Sequence, residues 1–405
     1  MKPFAAILIA ILLAMPFPSR GEIAYVLKAG NRDYARIITS KSSCPEISFD
    51  GKKEPMNARV QPGDGFPVLV CEAQIPADTK SIISGTIRLP VPVREPRRIV
   101  VLGDTGCRMK GSVFQDCNDP EKWPFKTISR AAARFKPDLV IHVGDYLYRE
   151  TPCPEGRKGC EGSPHGYGYD VWNADFFSPA DRLLKAAPWV FVRGNHEACF
   201  RAGKGWFRFL AAEPSDSCRD YSEPYSVALS EDTQVIVFDS SADVSNGHYR
   251  SQFEAVERLA EKFPHSFFLS HHPVLGFSEW HEKLHPGNEA LQSAMQEAEK
   301  KTLFPSGIDA AFHGHVHLYE ALDFKSNYPV TFVSGNSGTK TDDALPQNLP
   351  EGAEPFPGAI VKSFHSTSDF GFMTLEKRGS GWLITERNEK GQPVWSCTLN
   401  GRQCQ

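Results

Sequence analysis

Seven short apolar runs, each closed by a polar cluster, set the tightest limit on how this 405-residue chain can fold. They stand in RIVVLGD, DLVIHVGD, PWVFVRGNHE, TQVIVFD, SFFLSHHP, DAAFHGHVH and VTFVSGN. Each is too short for a helix and too uniformly apolar for a strand with one wet face, so each predicts a strand buried on both sides. Between them, KTISRAAARFK, PADRLLKAA and SQFEAVERLAEKF space their apolar residues at helical intervals. Strands alternating with helices imply an α/β domain with a largely parallel sheet. FGFMTLE and GWLITER have no helix between them and predict an antiparallel ending. Residues 340–366 are rich in Pro, Gly, Ser and Asp and predict a long loop.

Ahead of this region the character differs. Ala24–Leu27, Ala35–Thr39, Val68–Ala73 and Ile82–Leu89 are short β-rich runs separated by turn clusters such as QPGDG. LPVPVREPRR follows and suits a linker. The expected division is a small β domain over 22–95, a catalytic domain over 96–390 and a C-terminal tail over 391–405. The first residues, MKPFAAILIAILLAMPFPSRG, carry one lysine and an apolar run from Phe4 to Leu13. A membrane-spanning helix needs about 20 apolar residues, so residues 1–21 read as a secretory signal peptide that leaves no stable membrane span once removed. Ten cysteines behind such a leader predict disulfides. Their grouping along the chain invites 44–71, 107–117, 153–160, 199–218 and 397–404, and none shows the C-x₂-C spacing of a zinc site. The expected destination is secreted, periplasmic or extracellular. A net charge of only −4 indicates no nucleic-acid partner, and oligomeric state is not encoded in any feature.

The polar residues that close the runs carry the chemistry. Asp104, Asp145, Asn195, His271 and His315 each follow a predicted strand, at the sheet edge where α/β proteins bind ligands. Singly, GDTG, GDYLY, GNHE, HHP and GHVH are weak signals. Together they offer the hard oxygen and borderline nitrogen donors of a dinuclear metal centre. Asp104, Tyr148 and His317 suit a hard trivalent ion, and Asn195, His271 and His315 a softer divalent one, with Asp145 bridging. His315 and His317, two apart on extended chain, point the same way. His313 and His142 read as core histidines, and His272 as a neighbour of the site at most. Arg149 reads as a surface arginine.

The set GD-x-G, GD-x-x-Y, GNHE, H-x-P and GH-x-H resembles the calcineurin-like metallophosphoesterase superfamily, and within it most closely the purple acid phosphatases. Tyr148, three residues after Asp145, and GHVHLYE carry that finer resemblance. It implies a metallophosphoesterase-type β-sandwich flanked by helices and preceded by a small all-β domain. It implies Fe(III) on Asp104, Asp145, Tyr148 and His317, with divalent Fe, Zn or Mn on Asp145, Asn195, His271 and His315. His196 is then the residue that contacts phosphate. His281, ten residues beyond His271, is the implied proton donor to the leaving alcohol, with His285 competing for the role. The implied activity is hydrolysis of small phosphate monoesters by a metal-activated hydroxide. A phosphodiesterase or nucleotide-cleaving phosphohydrolase of the same superfamily would keep the ligands but lack the Tyr148 equivalent. RGNHE with GDYLYR also resembles the Ser/Thr protein phosphatases, which carry an aspartate where Tyr148 stands. A non-enzymatic secreted metal-binding protein would need a broken ligand set, and none of the seven positions is broken.

Overall fold

In the computed structural model, residues 21–215, 217–242, 248–281, 283–299 and 303–405 are described. The apolar leader therefore lies outside the described residues, apart from Gly21. No helix among the described residues is long and apolar enough to cross a membrane.

Two large sheets pack face to face. Strands Arg98–Leu102, Leu139–His142 and Trp189–Phe191 run parallel at the heart of the first. Gly371–Arg378, Gly381–Asn388 and Pro393–Asn400 extend it antiparallel on one side. In the second sheet Thr233–Val237, His265–Leu269, Ile308–His313 and Val330–Ser334 are parallel neighbours. All seven apolar runs are thus strands, flanked by antiparallel partners rather than set in a purely parallel sheet.

The two-residue period of a strand explains why these runs are apolar throughout. Ile99 and Val101 point between the sheets, where they meet Val235, Leu269, Phe312 and Phe332. Val100 and Leu102 point outward, under helix Phe125–Arg134, whose Phe125, Ile128, Ala131 and Ala132 form its inner stripe. On the other flank Phe268 and Ile236 pack beneath helix His248–Ala260 through Phe253 and Val256. Each large apolar side chain buried in this way contributes about 1.5–3 kcal/mol.

The N-terminal region is all β, as expected, but it is not set apart. Strand Ile23–Ala29 pairs in parallel with the catalytic sheet, Leu27 opposite Trp189, and Arg32–Thr39, Leu69–Gln74 and Asn57–Val60 continue that sheet to eleven strands. Arg36 is fully buried there and donates to the carbonyls of Phe209 at 2.7 Å and Ala211 at 2.8 Å. Hydrogen bonding therefore runs straight across the expected boundary at 95. At the other end, Pro393–Asn400 and Gln403–Cys404 form the opposite edge of the same sheet, so the expected tail is strand. Residues 340–366 also depart from expectation at one end, because Val361–Thr367 pairs with Tyr319–Phe324. All five expected disulfides are present, with Cα–Cα distances of 5.4–5.7 Å.

One buried carboxyl ties the second sheet to the loops above it. Glu320, inside strand Tyr319–Phe324, accepts the Phe277 N–H at 3.1 Å and thereby anchors the hairpin Phe277–Trp280/Lys283–Pro286. Burial pushes its carboxyl up to about 8, although the Phe277 N–H works against the rise. A carboxyl raised on folding stabilises fully below its unfolded value near 4.5 and loses that contribution as pH climbs through about 8. Glu320→Gln is therefore expected to flatten the fall in thermal midpoint between those two pH values. An unchanged pH slope in the variant would count against the assignment.

Candidate metal centre

The strand ends meet through turns that only certain residues tolerate. Asp104, Asp145 and His315 have φ of 56°, 58° and 71°, the left-handed region that costs side chains on the order of 1–3 kcal/mol. Hydrogen bonds between the loops hold them there. Asp104 N–H donates to Gly144 O at 2.9 Å, Thr105 N–H to Asp145 O at 3.1 Å, and His315 N–H to Asp104 Oδ2 at 3.0 Å. Two glycines are fixed by close approach: a Cβ on Gly194 would stand 2.1 Å from Asp145 Oδ1, and one on Gly314 2.5 Å from Asp104 Oδ2. In GNHE and GHVH the Gly is there to let backbone reach a carboxylate.

The seven side chains expected as ligands converge in two overlapping groups. The Tyr148 phenol oxygen lies 2.8 Å from Asp104 Oδ1, 2.9 Å from Asp145 Oδ2 and 3.0 Å from His317 Nε2. On the other side, Asn195 Oδ1 is 3.0 Å from His271 Nε2 and 3.2 Å from His315 Nδ1. Asp145 belongs to both groups, since its Oδ2 is also 3.3 Å from His271 Nε2. Donor atoms of Asp104, Asp145 and His271 all fall within 4.8 Å of one another.

This arrangement fits a pair of cations. Both aspartates are buried, and neither has a lysine or arginine ion pair among the described residues. His271 Nδ1 is held by Val143 O at 2.9 Å and His317 Nδ1 by Lys340 O at 3.0 Å, so each ring aims its Nε2 atom inward. Without ions these groups share protons among themselves: burial works against a charge on His271, but the Asp145 carboxylate beside it raises that imidazole to about 9. Burial pushes the Asp104 carboxyl well above its usual range, with Asp145 beside it adding to the rise. Burial opposes the ionised form of Asp145 too, but the His271 and His196 imidazoles outweigh it and hold that carboxyl well below its usual range. Burial keeps His315 low and brings His317 down to about 4, which leaves both imidazoles neutral, as metal ligands must be.

The other singled-out residues divide cleanly. His196, on the turn Asn195–Glu197, sends its backbone N–H to Asp145 Oδ1 at 2.8 Å and packs its ring 3.8 Å from that of Tyr148. His313 is buried against Ser270 Oγ at 2.9 Å, and His142 against Thr105 Oγ1 at 3.0 Å, so both are core histidines as expected. His272 binds Ser240 Oγ at 3.0 Å and lies with its ring 4.2 Å from that of His315. Arg149 differs from expectation: it is buried, bound to Asp175 and stacked over Trp123.

His281 sits exposed at the tip of the Phe277–Pro286 hairpin, its ring 4.5 Å from that of Trp280. A cavity of about 120 Å³ opens instead between His272, His315, Ser278, His285 and Asn288. The structure thus brings His285, and not His281, to the cavity wall shared with His272 and His315.

Several supporting residues had no signature in the sequence. Glu197 accepts the backbone N–H groups of Asp145, Tyr146, Leu147 and Gly194 and so shapes the loop that carries Asp145. Asp175 does the same for Cys107, Tyr148 and Arg149. Asp342 Oδ2 accepts the His317 N–H at 2.9 Å. Glu197 stood inside the quoted GNHE motif without being marked as a support, while Asp175 lies in a helical segment and Asp342 in a loop.

The sequence pattern of the Calcineurin-like phosphoesterase family matches residues 97–319, more than half of the chain and all seven donors. The chain belongs to that family. Among curated relatives, Phosphoenolpyruvate phosphatase from Allium cepa is 25% identical over 282 residues, 64% of this chain and 54% of its own length. Purple acid phosphatase 15 from Arabidopsis thaliana is 23% identical over 287 residues, 64% of this chain and 48% of its own. The chain thus spans about half the length of the curated relatives it matches. The solved purple acid phosphatase from yellow lupin (Lupinus luteus) seeds superposes with a TM-score of 0.61 over 93% of this chain and 74% of that one, at 17% identity. That likeness establishes the fold, a phosphoesterase sandwich with an all-β N-terminal region. Among the seven side chains gathered here one is a phenol, that of Tyr148.

Proposed function

We propose that the protein is an exported dinuclear-metal phosphatase that hydrolyses small phosphate monoesters, of the purple acid phosphatase type. The observation that carries this reading is the Tyr148 phenol oxygen, within 3.0 Å of Asp104, Asp145 and His317. A phenolate and two carboxylates neutralise a trivalent ion, so this group would hold Fe(III). Asp145, Asn195, His271 and His315 would hold divalent Fe, Zn or Mn. Bound there, the two ions supply Lewis-acid activation of the phosphoryl group and of water. Five disulfides and the apolar leader support export.

The chain's own residues supply position and charge. Asp145 joins the two halves of the centre, and Tyr148 fixes one of them. His196 faces the same space as Asp145 Oδ2, 3.8 Å from its Nε2, where, with both ring nitrogens protonated, it would donate to an equatorial phosphoryl oxygen and stabilise developing charge. The leaving alcohol needs a proton, and the hairpin imidazole that lines the adjoining cavity, beside His272 and His315, is that of His285. Accordingly, His285→Ala is expected to slow hydrolysis of an alkyl phosphate about tenfold to a hundredfold more than that of an aryl phosphate, whose leaving group needs no proton. His281→Ala is expected to slow neither. The reverse pattern would return the role to His281.

Rates on an aryl phosphate monoester and the matching diester test the substrate class. The monoester is expected to be hydrolysed faster by the metal-loaded protein. A diester preference would move the chain to a phosphodiesterase reading without disturbing the ligand set.

A further inference from the structure

The most completely built polar group outside the seven donors lies behind His196. We propose that Glu150 and Arg201 are a positioning pair, which holds the His196 imidazole toward the phosphate side of the centre and ties it to the loop carrying Asn195. His196 Nδ1 lies 2.8 Å from Leu147 O and 2.9 Å from Glu150 Oε1. Both partners are acceptors, so Nδ1 carries the proton, and Nε2 is left on the side of Asp145. Ring rotation would exchange a buried hydrogen bond for none, and the Tyr148 ring closes one face.

Glu150 is itself held. It accepts from the Arg201 guanidinium at Oε1 and from Tyr167 Oη at 3.1 Å through Oε2, with Lys110 Nζ at 3.9 Å. Arg201 turns its other nitrogen to Asn195 O at 3.1 Å. A single guanidinium therefore spans the carboxylate behind His196 and the backbone of a metal-ligand residue. Glu150, His196 and Arg201 are each at most 9% exposed. A buried ion pair of this kind contributes little net stability against its desolvation cost. What the pair does provide is orientation, since neither side chain can move without breaking a hydrogen bond to a site residue. This inference rests on the phosphatase reading for its kinetic consequence alone.

A double-mutant cycle on the metal-loaded protein reads that consequence. Glu150→Ala and Arg201→Ala are each expected to lower kcat roughly tenfold to a hundredfold with little change in KM and full metal content. In a His196→Ala background the same changes are expected to cost nothing further. An equal loss in both backgrounds would overturn the proposal, because additivity marks independent roles. A second arm needs no activity. In histidine-labelled, metal-free protein, nitrogen-detected NMR is expected to show a protected Nδ1 proton on His196. That protection should fall in Glu150→Ala, where the Leu147 carbonyl alone is left to accept it, and persist in Glu150→Gln, which keeps an acceptor of the same size. A proton on Nε2 instead, or equal protection in Glu150→Ala, would also overturn it. Wild-type protein that hydrolyses no phosphate ester but shows the protected proton would sink the phosphatase reading and leave the positioning pair standing.

Discussion

Asp145→Asn is expected to empty both metal positions and to lower phosphomonoester hydrolysis by roughly a hundredfold to a thousandfold. Asp145 is the one donor shared by the two groups, 2.9 Å from the Tyr148 phenol oxygen and 3.3 Å from His271 Nε2. The substitution keeps the side chain's shape but removes its charge and leaves a single oxygen. Asparagine also tolerates the left-handed backbone at this position, so the fold should survive. Metal content by mass spectrometry alongside activity checks the expectation. A fully metallated, fully active variant would show that Asp145 does not bridge.

The second large effect is expected at His196. His196→Ala should lower kcat by roughly a hundredfold to a thousandfold while leaving both metal positions filled, because the imidazole is a charge-stabilising donor and not a ligand. Its backbone N–H still reaches Asp145 Oδ1, at 2.8 Å, so the bridging carboxylate keeps its support. Burial lowers the proton affinity of the imidazole, partly offset by the Asp145 and Glu150 carboxylates, so the doubly protonated form that donates from Nε2 belongs to acid pH. Metal loss on the same scale as the activity loss would instead make His196 part of the binding site.

The gathering of the seven side chains was legible because Asp104, Asp145, Asn195, His271 and His315 each close an apolar run, and the fold then collects strand ends that lie far apart in sequence. Tyr148 was legible for the same reason, through its fixed distance from Asp145. The pairings behind them were not. Glu150 meets His196 across 46 residues and Arg201 across 51, and no spacing rule connects such positions. Arg149 looked like a surface cation because its partner, Asp175, stands 26 residues away in a helical segment. Disulfide pairing could be inferred because close cysteines leave few alternatives.

The fold shows the same division. Strand formation at Ile23–Ala29 followed from its β-rich run, but not its neighbour, since strand propensity is blind to which edge a strand will join. Lys52–Pro55 and Asn57–Val60 escaped notice because they are polar and largely exposed, with no alternation to mark a buried face. Val361–Thr367 is half-exposed throughout and reads as loop for the same reason. His281 and His285 occupy one hairpin, and only its register decides which imidazole faces the cavity. Lys283 pairs with Trp280 and His285 with Ser278, which leaves His281 in the turn.

Metal quantification together with a visible spectrum of the purified protein tests the central claim most directly. Two ions per chain, one of them iron, with a visible charge-transfer band that Tyr148→Phe abolishes, is the expected result. Iron bound without any such band, or a band that survives Tyr148→Phe, would contradict the placing of Fe(III) on Tyr148.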